Sequence, residues 1–168
     1  MEKYISITKM DVHKDDIFFT DRTRDWCKLP YDGHPKGCPN YNKNPNCPEQ
    51  TPFKPLLPDE LALLLCKFDM KEYIEDMRVK HSDWTKKQLR CVLYWQGAVK
   101  KLIKKEIEKL HPNFILGSGS GFNCPSMEAA GINVIKTVKK LGIPIKAKPK
   151  DTIYLVSLIG WFEEDWKP

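Results

Sequence analysis

Apolar positions alternate with polar ones at the start of the chain, where Tyr4, Ile5 and Ile7 predict a short strand over residues 3–9. The run Leu61-Ala62-Leu63-Leu64-Leu65-Cys66-Lys67-Phe68 is almost continuously apolar and reads as a buried strand, with a helix as the alternative. Asp69-Met70-Lys71-Glu72 has capping-box spacing and predicts a helix from there to about Lys80. Leu89, Val92, Leu93, Leu102, Ile103, Ile107 and Leu110 recur at helical spacing and predict one long helix from about Ser82 or Asp83 to Leu110, ended by Pro112. Phe114-Ile115-Leu116 reads as a strand, and the glycine-rich turn Gly117-Ser118-Gly119-Ser120-Gly121 follows it. A helix is expected to begin near Pro125 and to stop at Lys139-Lys140-Leu141-Gly142. The closing β-branched and apolar run from Thr152 to Ile159 predicts a last strand.

Residues 21–58 break this regularity. Eight of the thirteen prolines lie between Pro30 and Pro58, so fixed φ angles and missing N–H donors exclude a regular helix or a central strand there. A loop of that length inside a compact domain needs ties, and Cys27, Cys38 and Cys47 are placed to supply them. The expected fold is therefore one α/β (α+β) domain over residues 1–168. It has a small mixed sheet of about four strands, three helices packed on it, and a long Pro/Cys-rich loop module at 21–58.

Composition narrows the class. A chain of 168 residues that is 41% hydrophobic carries enough apolar mass for a folded core. No run approaches the ~20 apolar residues of a membrane span, and Met1 to Ser6 lack the apolar stretch of a signal peptide. A cytoplasmic address is the expectation. The net charge of +6 permits attraction to nucleic acid or anionic surfaces without requiring it. In a reducing compartment the six cysteines are better read as metal ligands or reactive thiols than as disulfides.

Cys27, Cys38 and Cys47 follow a C-x10-C-x8-C spacing, and Cys38 and Cys47 each precede a proline, a habit also found at iron–sulfur cysteines. Cys124 is the natural fourth member, since a helix beginning at Pro125 would favour its thiolate, as ligand or nucleophile. His34 could contribute a nitrogen. Glu128 and Asp32 are candidate acid/base groups beside such a centre. Cys66 and Cys91 sit in apolar patterns and read as packed side chains. Thiolates in this number suit a [4Fe–4S] cluster or a zinc ion. Three ligands would leave one iron open to a small-molecule substrate, whereas four would imply structure or an electron-transfer partner.

Two stretches resemble a prokaryotic family of predicted metal-binding proteins. Trp26-Cys27, Gly37-Cys38-Pro39-Asn40-Tyr41 and Cys47-Pro48 are similar to that family's C…C-P-N-Y-G…C-P-P region. Pro125-Ser126-Met127-Glu128-Ala129-Ala130-Gly131-Ile132-Asn133-Val134 is similar to its P-S-M-E-A-x-G-I-D-V segment. The resemblance implies an iron–sulfur or other metal protein without assigning a reaction. Family members carry a ferredoxin-like cysteine cluster just before P-S-M-E, where this chain has Gly117 to Cys124. Asn42 and Glu49 also replace the family's glycine and second proline. The resemblance thus implies that only the loop site is kept.

Two other functions fit the residues. Gly117, Ser118, Gly119, Ser120, Gly121 and Asn123 could cradle a phosphate or nucleotide between a strand and a helix, although the turn lacks the ending of a P-loop. Alternatively, the basic helix 84–110, with Lys86, Lys87, Arg90, Lys100, Lys101, Lys104, Lys105 and Lys109 around Trp84, Tyr94 and Trp95, could serve a zinc-stabilised nucleic-acid-binding module. Solvated lysines over inward-packed aromatics explain the same pattern, so the iron–sulfur reading is preferred.

Overall fold

The computed structural model describes residues 1–30, 35–38, 41, 43, 57–58, 60–110, 121–124, 127–147 and 149–161. Three long strands, β1 (Ile5–Val12), β2 (Glu60–Asp69) and β4 (Thr152–Trp161), are joined at one edge by the short β3 (Gly121–Cys124). The order is β1-β2-β4-β3 and every ladder is antiparallel, so the sheet is not the mixed one expected.

β2 lies between β1 and β4 and is buried on both faces, which explains its unbroken apolar run. Leu61, Leu63 and Leu65 point into one core with Leu158, Met127, Ile132 and Val138. Ala62, Leu64, Cys66 and Phe68 point into the other with Tyr4, Trp95, Val99 and Ile103. Each fully buried leucine is worth about 2 kcal/mol of transfer free energy.

Helix α2 (Met70–Lys80) starts where the capping pattern places it, with the Asp69 carboxylate accepting from the Glu72 backbone N–H at 2.9 Å. Beyond it the single long helix expected is instead three pieces. Thr85 caps the one-turn α3 (Lys86–Leu89) by a reciprocal bond with Gln88. Extended backbone at Cys91 then leads into a 3-10 turn, Val92–Tyr94, before α4 (Gln96–Leu110). The break turns Trp95 inward, stacked on Phe68 at 4.7 Å, and leaves Leu93 84% exposed. Val99, Ile103 and Ile107 then line the inner stripe of α4.

The helix expected from Pro125 is also corrected. Residues 127–131 form turns, Gly131 takes a φ of +81°, and α5 (Val134–Lys140) begins only after Asn133, whose side chain accepts from the Lys136 N–H. Met127, Ala130 and Ile132 are buried in the core from these turns, so tertiary packing takes up the segment without a helix. Gly121 to Asn123, expected in a loop, belong to β3. The expected strand Phe114–Leu116 lies outside the described residues. No helix among the described residues is long and apolar enough to cross a membrane.

Two contacts generate predictions. A Cβ at Gly160 would stand 2.4 Å from the Pro58 ring and 2.6 Å from the Glu60 carbonyl oxygen. Gly160→Ala is therefore expected to lose about 1–3 kcal/mol, read as a lower denaturant midpoint with an unchanged slope. Asp76 accepts from the Tyr4 hydroxyl at 2.6 Å and from the Lys3 ammonium. The Lys3 bond, then the Tyr4 bond, holds its carboxyl below the usual range. A depressed carboxyl stabilises the fold above its unfolded value of about 4, and that contribution disappears as pH falls through the folded value. The pair is open to solvent, so the effect is small. Urea titrations across the acid range should show a shallower loss of stability in Asp76→Asn than in the native chain.

Candidate functional site

The segment that leads into the cysteine loop is anchored before it leaves the sheet. Phe18 donates its N–H to the Thr137 hydroxyl at 3.1 Å, and the Phe18 carbonyl accepts from Asn133 at 2.7 Å. Thr20 donates to the Gly131 carbonyl at 2.8 Å, and Phe19 bridges Ile132. Met127 to Val134 thus form a strap whose apolar side chains fill the core and whose backbone holds residues 18–20. The strap thereby supports the segment that approaches Cys27.

From that anchor the short helix α1 (Thr23–Trp26) delivers Cys27. The Cys38 N–H donates to the Cys27 carbonyl at 2.6 Å. Gly37 makes the approach possible. Its φ is +83°, and a Cβ there would lie 2.5 Å from the Cys27 oxygen and 2.7 Å from the Lys28 carbonyl carbon. Both cysteines are half-buried. Beside them Lys28 pairs with Asp25 at 2.9 Å and lies 5.7 Å from the centre of the Tyr41 ring. The Tyr41 N–H returns to the Cys38 carbonyl at 3.2 Å, which closes the turn after the second cysteine.

The remaining candidates are divided. Cys47, Asp32, His34, Gly117, Ser118, Gly119 and Ser120 lie outside the described residues. Cys124 is buried in the core with Val12, Leu61, Leu63 and Met127, at the end of β3 and not at a helix N-terminus. The helix-dipole argument for its thiolate therefore fails. Among the described residues no three His, Cys, Asp or Glu side chains gather as a metal site, so Cys124 does not complete one with Cys27 and Cys38. Glu128 sits in the strap turn, exposed by surface area although protein crowds its carboxyl, and lost hydration raises its pKa. Water still reaches that side chain, so we read it as a surface carboxylate in a concave setting.

Cys66 is packed as expected, and burial pushes its thiol up to about 11, which keeps it protonated and unreactive. Of the aromatics proposed to stack on bases, Trp95 is excluded by its burial. Trp84 instead stacks between His81 at 4.1 Å and Tyr94 at 4.7 Å, on the segment between α2 and α4. Gly37 is the site residue that residue-type reasoning passed over. Its position directly before a cysteine in a crowded loop was the available signal.

The described part of the loop brings Cys27 and Cys38 together through their backbones, two of the four cysteines that a zinc ion or a whole [4Fe–4S] cluster takes. Compared with family models, with curated proteins and with solved structures, the chain matches none. The Cys27–Cys38 neighbourhood is testable directly. A short bifunctional thiol reagent is expected to cross-link Cys27 to Cys38 in the native chain, as mapped by peptide mass analysis. In Gly37→Ala, where the added methyl forces the two turns apart, the yield should fall severalfold.

Proposed function

We propose that this chain is a small cytoplasmic metal-binding protein whose loop cysteines, Cys27, Cys38 and Cys47, hold an iron–sulfur cluster. The observation that carries the reading is the close approach of Cys27 and Cys38 across Gly37. A loop gains nothing in apolar burial from two half-buried thiols held on adjacent turns, whereas a metal needs its ligands assembled in that way. The anchoring of residues 18–20 on the strap supports it further, because it limits the freedom of the chain that leads to Cys27. The resemblance to predicted metal-binding proteins points the same way.

The ligand set proposed here omits Cys124, which the core occupies. Cys27, Cys38 and Cys47 would hold the cluster, which would supply redox or Lewis-acid chemistry to a small substrate or an electron-transfer partner. This chain's own contribution would be to hold Cys27 and Cys38 on adjoining turns across Gly37.

Protein purified without oxygen is expected to be brown, with iron and acid-labile sulfide in near-equal amounts. Both should be lost in Cys38→Ser, while far-ultraviolet circular dichroism stays native. A colourless protein with one bound zinc would overturn the cluster and favour the zinc-stabilised nucleic-acid module, for which the Trp84–Tyr94 stack and the exposed lysines of α4 are the remaining support.

A further inference from the structure

The end of the β2–β4 ladder opens onto a cleft of about 520 Å³ between the sheet and the segment that follows α5. Its wall carries Lys67 from β2, Tyr154 and Thr152 from β4, and Lys146, Lys150 and Asp151 from the connecting segment. Pro144 and Pro149 supply apolar surface. Lys67 stands opposite Tyr154 in the ladder register, so the two strands present a cation and a phenol side by side. Three lysines and one aspartate line the cleft, and the ion pairs found among the described residues engage none of the three lysines. Cations gathered in a concavity without carboxylate partners raise the local positive potential.

The wall is also built to stay in place. Arg90 donates to the Pro149 carbonyl at 3.0 Å and to the Lys150 carbonyl at 2.9 Å. The Asp151 carbonyl accepts from Met70 at 2.9 Å and from Lys71 at 3.2 Å, which ties the same segment to the start of α2. A guanidinium spent on holding two backbone carbonyls leaves the neighbouring lysines as the charges available to a ligand. Such preorganisation lowers the entropy lost on binding.

We infer that this cleft binds a phosphorylated small molecule, with a nucleoside diphosphate as the simplest fit. The lysines and the Thr152 and Tyr154 hydroxyls would take the phosphate oxygens. Its volume falls within the range of small-molecule sites and exceeds what a bare phosphate needs. The prolines and the Tyr154 ring offer a face for the base or sugar, and Asp151 offers an acceptor for a hydroxyl or amino group. None of the lining residues belongs to the segment 21–58, so the inference does not rest on a metal held there.

Calorimetric titration of the full chain with ADP at low salt tests it, with inorganic pyrophosphate and a short oligothymidylate as comparison probes. One saturable site for ADP is expected. Lys67→Ala and Lys146→Ala should each weaken it about tenfold or more, as the loss of a charge-assisted contact implies, while Lys101→Ala on α4 leaves it unchanged. Lys146 lies outside every strand and helix, so its variant tests the cleft without disturbing the sheet. No saturation by ADP or pyrophosphate up to about 5 mM would overturn the inference. So would equal weakening by Lys101→Ala, or oligothymidylate binding that is tighter and rises in stoichiometry with length.

Discussion

Burial of β2 on both faces organises the molecule. A strand with leucines at 61, 63, 64 and 65 has no solvent face to offer, so it must be central and must be covered twice. β1 and β4 satisfy its backbone along nearly its whole length. Helices α2 and α4 cover one face, and the strap with α5 covers the other. The strap fills a core that the sheet would otherwise expose. In doing so its backbone meets residues 18–20 and steadies the entrance to the cysteine loop. Packing and the candidate metal chemistry are thereby linked through one short segment.

That link changes what the 125–134 stretch means. Met127, Ala130 and Ile132 are core residues, Gly131 permits a left-handed turn, and Asn133 caps α5. Residues 127–133 therefore serve the core and the start of α5. The chemistry-bearing groups of the described site lie on the loop side, at Cys27 and Cys38, where Gly37 lets one turn close on the other. The two ends of the molecule contrast. The loop end gathers thiols, and the far end of the β2–β4 ladder gathers lysines around a cleft.

Much of the architecture was legible in the residues because it rests on local or repeating terms. The apolar run of β2, the closing strand, the cap at Asp69 and the stop at Gly142 each follow from backbone preferences and side-chain periodicity. The continuity of the 82–110 helix did not follow from them. Helical spacing places Val92 and Leu93 in the core. The chain instead breaks at Cys91, which leaves them in solvent while Trp95 stacks on Phe68. The helix expected from Pro125 rested likewise on local start and stop signals, and the left-handed Gly131 and the bridge from Phe19 to Ile132 leave turns in place of its first half.

The sequence by itself determined that this is a folded α/β chain with a doubly buried strand and a proline-rich loop bearing three cysteines, because composition and periodicity act on residues near one another. Only the tertiary structure decided which candidates meet. Cys27 and Cys38 approach because Gly37 has no Cβ to keep two distant turns apart. Cys124 is withdrawn into the core because antiparallel pairing sets it opposite Leu158, in the cluster with Leu61, Leu63 and Met127. Lys67, Lys146 and Lys150 share a cleft because antiparallel pairing returns β4 beside β2 and Arg90 holds the intervening segment against them. Each of these is a contact between residues far apart in the chain, set by how layers pack and not by local spacing.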